Sequence, residues 1–346
     1  MTIKGLIVGA GHFADIQLEA WAEVQGARIV GVLSRTREDA QPLADKYGLE
    51  AFGDWEHALD ALSPDFIDIC TPPPSHLHYT RLAADRGLPI LCQKPLAPSL
   101  QEAEELVAYC EERSVPLMVN ENWRWQAWYR EIKTMMDAGM LGEVYSAYMA
   151  MRPGDGWGEQ PYSVQPYFRE MKQFLIYETG IHYLDTYRYL FGEIESLYCQ
   201  LRTINPVIQG EDLAMVHLNF TSGATGLYDA NRVTYMEQVR SPVYGWMTLE
   251  GTSGKLRLEE DGAIYFTPRD GQERRHEYHI PAKGWKGGCT IATQQHFVDV
   301  LRDGGVFETN GRDYMASVRA VYACYESAAK QQVVVLNRKI DYKIKE

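Results

Sequence analysis

A short glycine-containing turn near the start of the chain has the residue types that bind a dinucleotide. The sequence from Gly9 to Ala14 reads Gly-Ala-Gly-His-Phe-Ala, directly after an apolar run and before a helical pattern. Gly9 permits a tight turn, Gly11 lets the backbone approach a pyrophosphate, and Ala14 allows close packing of helix on strand. The N-terminus of the helix then faces the anion, so His12 and Phe13 are also predicted cofactor contacts.

The end of the second predicted strand should distinguish NAD from NADP. NAD enzymes usually place a carboxylate there to bind the ribose hydroxyls. Here the chain reads Ser34-Arg35-Thr36-Arg37 before the first acid, Glu38. Arginines and small hydroxyls suit a 2′-phosphate, so Ser34 and Arg35 are predicted cofactor residues and NADP is favoured over NAD. The alternative is that Arg35 only stacks near the adenine and Arg37 is solvated.

The turn must be positioned by strands and helices, and the first 120 residues alternate the two patterns. The predicted strands are Ile3–Val8, Arg28–Leu33, Phe66–Cys70, Ile90–Gln93 and Leu117–Asn120. Helical patterns lie near Asp15–Val24, Arg37–Tyr47, Trp55–Leu62, His76–Arg86 and Leu100–Arg113. The strands are near-continuous apolar runs, which is typical of buried parallel strands. The sequence therefore predicts an α/β fold, a Rossmann domain with a doubly wound parallel sheet over residues 1–121.

The second half has a different pattern. Strand-like alternation is found at Val144–Arg152, Ser196–Arg202, Leu213–Phe220, Gly226–Asn231 and Trp246–Glu250, followed by a hairpin around Asp261-Gly262. Two late helices are predicted at Thr290–Arg302 and Arg312–Lys330. Residues 122–346 are therefore predicted to form an α+β substrate-binding and oligomerisation domain with a large, mostly antiparallel open sheet.

Three segments carry residues suited to an oxidoreductase. The first segment follows a predicted strand at Cys70–His76 and reads Cys-Thr-Pro-Pro-Pro-Ser-His. The second follows the next strand at Gln93–Pro95 and reads Gln-Lys-Pro. The third lies in the second half at Tyr177–His182 and reads Tyr-Glu-Thr-Gly-Ile-His. With the late helices that contain Gln294–Phe297 and Tyr325–Ser327, this arrangement resembles the glucose–fructose oxidoreductase / inositol dehydrogenase (Gfo/Idh/MocA) family over nearly the whole chain.

The resemblance implies specific roles. The family's tripeptide is Glu-Lys-Pro, with a catalytic lysine and an acid that contacts the cofactor ribose. This chain keeps Lys94 and has Gln93 in place of the acid, and a glutamine can still bind a ribose hydroxyl. The family also has an Asp and a His four residues apart. Glu178 takes the Asp position here and His182 keeps the His. The resemblance further implies a cis peptide bond between Lys94 and Pro95.

The loop after the Phe66–Cys70 strand is implied to contact the cofactor through Thr71, Pro72 and His76. His76 would reach the nicotinamide end. The alternative is that His76 merely begins a surface helix, with His78 nearby.

The chemistry of the catalytic candidates agrees with these roles. Lys94 follows the carboxyl end of a parallel strand, where ligands bind such sheets, and can polarise a carbonyl or stabilise an alkoxide. Glu178 and His182 are at i and i+4 and are predicted to share one helix face. Histidine exchanges a hydroxyl proton near neutral pH. The alternatives are a half-buried structural histidine and a solvated loop lysine.

Candidate substrate contacts lie in two further segments. Asn122–Trp125 resembles the family's Asn-x-Arg-aromatic segment, so Arg124 and the tryptophans either line a substrate cleft, where flat rings suit sugar C–H surfaces, or pack between domains. The Gly/Pro-rich stretch after Val144–Arg152 adds candidates for hydroxyl contacts, which are Arg152, Asp155, Trp157 and Tyr162. Lys94 and His182 complete the predicted substrate site.

These residues predict a sugar or polyol dehydrogenase that transfers a hydride between NAD(P) and a hydroxyl-bearing or hemiacetal carbon of a carbohydrate. His182 would accept the hydroxyl proton, Glu178 would orient its ring, and Lys94 would stabilise the alkoxide, although the family also assigns the base role to the lysine. Two alternatives remain: a redox glycosidase with tightly bound NAD, and a non-catalytic sugar sensor, which should have lost these three residues.

The composition excludes some classes of binding partner and favours one cellular compartment. A net charge of −13 disfavours nucleic-acid binding, and no apolar stretch approaches the roughly 18 to 20 residues of a membrane helix. The six cysteines are scattered, which predicts no metal site and a reducing cytoplasm. An open antiparallel sheet needs cover, so a homodimer or homotetramer through that sheet is expected.

Overall fold

The computed structural model describes residues 2–158, 160–236 and 241–336. The chain divides into two compact units. The first comprises Met1–Ala127 and Ile280–Val318, and the second comprises Trp128–His279 and the residues from Arg319 onward.

The first unit contains a six-stranded, entirely parallel sheet in the order β3-β2-β1-β4-β5-β6. Its strands are β1 (Ile3–Val8), β2 (Ala27–Leu33), β3 (Glu50–Phe52), β4 (Phe66–Ile69), β5 (Ile90–Gln93) and β6 (Leu117–Asn120). The helices between them are α1 (His12–Trp21), α2 (Arg37–Tyr47), α3 (Trp55–Leu62), α4 (His76–Asp85) and α5 (Leu100–Glu112). The predicted doubly wound sheet is confirmed, with β3 as a strand that the sequence pattern did not predict.

Local chemistry explains where these elements begin and why they pack. Thr36, Asp54 and Ser99 precede α2, α3 and α5, and each side chain accepts a hydrogen bond from the backbone N–H three residues later. The strands β4 and β5 are buried along their whole length, as expected of a sheet covered on both faces. Each fully buried aliphatic side chain contributes about 1.5 to 3 kcal/mol to folding.

The first unit is completed by residues distant in sequence. Helix α8 (Trp285–Asp303) and the segment after it contribute Phe297 and Phe307 to the core of this unit. The Phe297 ring packs edge-on against Phe66 at 5.3 Å between centroids. This division differs from the predicted split at residues 121 and 122, which placed all late helices in the second domain, because an amphipathic pattern does not indicate which core a helix covers.

The second unit contains a nine-stranded sheet in the order β14-β13-β12-β11-β7-β10-β9-β8-β15. The strands are β7 (Val144–Met151), β8 (Ile194–Arg202), β9 (Leu213–Phe220), β10 (Thr225–Asn231), β11 (Gly245–Gly251), β12 (Gly254–Leu258), β13 (Ile264–Pro268), β14 (Arg274–His276) and β15 (Val334–Val335). All neighbours are antiparallel except β7 and β10, which are parallel. The predicted large, mostly antiparallel sheet is therefore confirmed.

One face of this sheet packs against α7 (Ile181–Phe191), since Tyr183 stacks on Tyr228 of β10 and Tyr187 stacks on Phe220 of β9. Side chains of the opposite face, among them Met215 and Leu227, stay partly exposed. The other two α-helices in the described ranges are α6 (Ala127–Asp137) and α9 (Gly311–Lys330). Within the described ranges, none of the helices is long and apolar enough to cross a membrane.

Candidate active site

The glycine turn lies between β1 and α1, as predicted, and its two glycines have different surroundings. Gly9 has φ +120°, and a Cβ on it would lie 2.3 Å from the carbonyl oxygen of Cys70, so the fold itself requires glycine. A Cβ on Gly11 would meet no protein atom within 4 Å. Gly11 also begins α1 without a side-chain cap, so the first N–H groups of the helix are left for a ligand. The turn therefore fits a dinucleotide pyrophosphate.

The residues after β4 and β5 lie at the carboxyl edge of the parallel sheet, where ligands bind in this architecture. The Lys94–Pro95 peptide bond is cis, as the resemblance implied. Gln93 Oε1 accepts a hydrogen bond of 2.9 Å from the Lys94 N–H, while its buried Nε2 has no partner. Asn120 is its register neighbour on β6, and both amide atoms of that fully buried side chain also lack a partner. Unsatisfied amides at this edge fit polar groups of a bound cofactor.

His76 differs from both of its sequence-based interpretations. It begins α4, but its ring is fully buried and faces two backbone carbonyls, with Nε2 at 2.7 Å from Thr71 O and Nδ1 at 3.1 Å from Leu96 O. Burial lowers the pKa of His76, and a neutral ring donates through one nitrogen only. The ring thus ties the loop after β4 to the residues after β5. The predicted contact of the ring with the nicotinamide end is not supported, because neither ring nitrogen is available. Thr71 and Pro72 lie in the same loop after β4, and their contact with the cofactor stays a prediction.

The segment predicted to bind the 2′ position of the cofactor ribose follows β2 and is exposed. The Ser34 N–H donates to Phe52 O of β3, and Thr36 caps α2. The Arg35 side chain is 89% exposed, and its Nε lies 3.8 Å from Asp39 Oδ2. The Arg35 guanidinium is accordingly accessible to a ligand at this strand end.

The Trp123–Trp125 turn is a single 3-10 turn whose residues are buried. Arg124 Nη1 donates to Glu308 O at 3.3 Å, and its Nη2 lies 3.9 Å from Asp313 Oδ2. Trp125 packs on His296 at 4.8 Å between ring centroids. Of the two interpretations left open, this arrangement supports packing for Arg124, and the packing is inside the first unit rather than between domains.

In the second unit, the segment with Glu178 departs from the predicted regular helix. Leu175–Gly180 is a π-helix that continues directly into α7, so Glu178 lies in the π-helical turn and His182 in the first turn of the α-helix. The argument from α-helical i, i+4 spacing therefore does not apply across this junction, because a π-helix has a wider turn. Such turns occur frequently at functional sites. His182 is buried, with 5% of its surface exposed.

A buried carboxylate, which the sequence analysis missed, anchors this π-helix. Glu211 accepts hydrogen bonds from the N–H groups of Phe174 and Ile176 and, at 2.6 Å, from the Tyr325 hydroxyl. Burial raises the pKa of Glu211, and the hydrogen bond from Tyr325 partly opposes that rise. Glu211 precedes β9 and α9 supplies Tyr325, a separation that no local motif reveals.

Three of the four predicted hydroxyl contacts have polar structural partners, whereas the buried Tyr162 hydroxyl has none among the described residues. Arg152 pairs with Asp229 at 2.6 Å, on the face of the sheet opposite α7. Asp155 is paired with Arg232, a second residue missed by the sequence analysis. The Trp157 Nε1–H donates to Val233 O.

Tyr162 is 2% exposed and packs edge-on against the rings of Phe168 and Phe174. The structure therefore does not bring Arg152 or Tyr162 together with His182 as substrate contacts. Arg152 is paired on the other sheet face, and Tyr162 is enclosed by aromatic rings.

The fold, the open glycine turn and the lysine at the sheet edge define a dinucleotide-dependent oxidoreductase. Residues 3–121 match the family model described as "Oxidoreductase family, NAD-binding Rossmann fold", and residues 129–257 match the GFO/IDH/MocA C-terminal domain. The chain belongs to the Gfo/Idh/MocA family of oxidoreductases. It is an NAD(P)-dependent enzyme of the sugar and polyol dehydrogenase class.

Individual relatives are similar over nearly the full length. D-apiose dehydrogenase from Rhizobium rhizogenes is 33% identical over 96% of this chain and 97% of the relative. The D-apiose dehydrogenase of Paraburkholderia graminis is 32% identical over 96% of this chain and 89% of the relative. A crystal structure of an oxidoreductase from Agrobacterium radiobacter in complex with NAD+, L-tartaric acid and magnesium is 32% identical, with a TM-score of 0.89 over 97% of this chain and 98% of that one.

Proposed function

We propose that the protein oxidises D-apiose, or an aldopentose of similar shape, with NAD(P)+ as the hydride acceptor. The observation that carries the proposal is the similarity over nearly the full length of both chains to two D-apiose dehydrogenases. A cyclic aldopentose has a hemiacetal carbon whose oxidation gives a lactone. The carbon loses a hydride, the hydroxyl loses a proton, and the products are the lactone, NAD(P)H and H+.

Each chemical step has a proposed residue. The nicotinamide, when bound, supplies the hydride acceptor. Lys94 follows the carboxyl end of β5 and stabilises negative charge that develops on the substrate oxygen. His182 accepts the hydroxyl proton, and Glu178 stabilises the imidazolium that results. Proton acceptance by Lys94 is the alternative that the family also uses.

The proposed cofactor preference is NADP over NAD. It is supported by the exposed Arg35 guanidinium at the end of β2 and by the absence of an acid from Ser34 to Arg37. The structure of the relative from Agrobacterium radiobacter contains NAD+, which keeps NAD as the alternative.

The test is an absorbance assay for NAD(P)H that crosses both cofactors with aldoses, polyols and inositols. We expect turnover with D-apiose or another pentose, and a loss of roughly a hundredfold to a thousandfold in kcat for Lys94→Ala. Lys255→Ala, at an exposed lysine of β12, is the matched control and should retain full turnover. Full turnover by Lys94→Ala would contradict the proposed role of Lys94 in stabilising the substrate oxygen.

The same assay separates the alternatives. Release of a sugar from a glycoside without net formation of NAD(P)H would identify a redox glycosidase. Cofactor and sugar binding without any turnover would identify a sensor.

We further propose a homodimer or homotetramer in the cytoplasm. The partly exposed apolar side chains on the sheet face opposite α7 support self-association. The six cysteines are all free and buried, which supports a reducing compartment.

A further inference from the structure

A buried arginine lies beside the π-helical turn that carries Glu178. Arg232 directly follows β10 and is only 2% exposed. Its Nε and Nη2 donate to the two carboxylate oxygens of Asp155 at 3.0 and 2.6 Å, which is a bidentate pair. The guanidinium lies 4.9 and 5.0 Å from the ring centroids of Phe168 and Phe174. The aromatic rings therefore exclude water from this ion pair and fix its position.

The third donor of Arg232 leads to Glu178. Arg232 Nη1 donates to Thr179 Oγ1 at 2.9 Å, and the Thr179 hydroxyl in turn donates to Glu178 Oε2. A hydroxyl that accepts from a cation and donates to an anion is polarised in one direction, so each bond strengthens the other. We name the chain Asp155–Arg232–Thr179–Glu178 the arginine relay.

Arg232 keeps its positive charge within the arginine relay. Burial alone would lower the pKa of Arg232, but the charge and hydrogen bonds of Asp155 outweigh burial, and the nearby Glu178 adds to them, so the pKa is raised. Asp155 is the main partner of this charge, and Glu178 also attracts the guanidinium.

We propose that Arg232 is a positioning residue that holds the Glu178 carboxylate in one orientation through the hydroxyl of Thr179, and that this relay sets the lower pH limit of activity through the effect of Glu178 on His182. The inference rests on the proposed role of Glu178 beside His182. Arg232 itself need not touch the substrate.

Charged or titratable groups from several elements lie around the turn that carries Glu178. They are Arg232 after β10, Asp155 and Tyr162 from the loop after β7, Glu211 before β9, Tyr325 of α9 and His182 of α7. Glu211 holds the backbone of the turn, whereas the arginine relay holds a side-chain hydroxyl. The two anchors can therefore be separated by substitutions at Thr179 that leave the backbone bonds in place.

The experiment compares Thr179→Val, which removes the hydroxyl at constant shape, with Thr179→Ser, which keeps it. We expect Thr179→Val to lower kcat/KM about tenfold at neutral pH and to lower the acidic limit of the kcat/KM profile by up to about one unit, because a carboxylate that has lost this hydrogen bond stabilises protonated His182 less well. Thr179→Ser should recover most of both effects. NAD(P)H affinity, measured by fluorescence titration, should stay unchanged in both variants.

Thr134→Val is the matched control, since this threonine is exposed on α6 and its hydroxyl donates only to a backbone carbonyl among the contacts described. It should behave as the wild type in rate and pH profile. Should Thr179→Val fail to fold, Thr179→Ala removes the same hydroxyl and takes its place.

The Glu178→Gln variant separates failure of the relay from failure of the proposed function. In that background, Thr179→Val should have no further effect on kcat/KM, because the two residues act through one contact. A fully active Glu178→Gln would overturn the role of Glu178 and the relay with it. An inactive Glu178→Gln together with a wild-type pH limit in Thr179→Val would overturn the relay alone.

Discussion

At the scale of single residues, the two glycines of the dinucleotide turn have different roles, one in folding and one in cofactor binding. Gly9 adopts φ +120° against the Cys70 carbonyl, whereas Gly11 faces open space. We predict that Gly9→Ala lowers the free energy of unfolding by at least about 2 kcal/mol. Gly11→Ala should lower it by less than about 1 kcal/mol, since alanine is a poorer helix cap, and should weaken cofactor binding at least tenfold, about 1.4 kcal/mol, because its methyl group enters the space of the pyrophosphate.

Thermal unfolding and titration of NAD(P)H fluorescence measure the two effects independently. Each variant is the control for the other, since both exchange glycine for alanine in one turn. Equal losses of stability, or an unchanged cofactor affinity in Gly11→Ala, would contradict this division of roles.

Sequence reasoning reached the positions of Gly9, Gly11 and Lys94 because each lies next to a strand whose apolar run can be recognised. It misjudged His76 and Tyr162, since residue type does not report how deeply a side chain is buried. Arg232 and its ion pair with Asp155 were missed for another reason. The two residues are far apart in the chain, and only the completed sheet brings them into contact.

At the scale of elements, β4 carries a buried carboxyl in the middle of the parallel sheet. Asp68 Oδ2 accepts a 2.7 Å hydrogen bond from Trp21 Nε1, while Oδ1 has no partner. Burial raises the pKa of Asp68 to about 7, although the bond from Trp21 opposes the rise. The neighbouring thiols of Cys70 and Cys92 stay neutral, because burial raises their pKa well above the usual range.

This carboxyl should make the stability of the protein depend on pH. The pKa is higher in the folded state than in the unfolded chain, so the folded protein binds the extra proton between about pH 4 and 7. The stabilising contribution is complete below about pH 4 and is lost as the pH rises towards 7. Relative to Asp68→Asn, the wild type should lose up to about 1.4 kcal/mol of unfolding free energy per pH unit in that range.

Urea unfolding of both proteins at several pH values from 4.5 to 8 measures the difference, a range chosen around that window. Asp60→Asn, an exposed position on α3, is the control and should follow the wild type. A constant difference between wild type and Asp68→Asn across this range would refute the assignment.

Element boundaries were predictable where periodicity extended over several residues. The three residues of β3 are too few to show a pattern, and their pairing with β2 is a tertiary contact. The π-helix at Leu175–Gly180 could not be predicted either, because it depends on bonds from the distant Glu211 to the backbone of this segment.

At the scale of the whole molecule, the open face of the nine-stranded sheet predicts self-association. Met215 lies on this face and is partly exposed. We expect a homodimer or homotetramer by size-exclusion chromatography with light scattering, and dissociation by Met215→Glu, because a charge would be buried in the contact. Met215→Leu is the control and should keep the assembly. A monomeric wild type would exclude this interface.

Each unit is built from an early and a late segment of the chain, which has a consequence for folding during synthesis. The core of the first unit requires Phe297 and Phe307, and the second unit requires residues beyond Arg319, so neither unit is complete until most of the polypeptide has left the ribosome. At common elongation rates the first sheet waits on the order of 10 to 40 s for its last helix. During that interval the nascent chain exposes the apolar surface of Phe66 that Phe297 of this helix later covers, which is the kind of surface that chaperones bind.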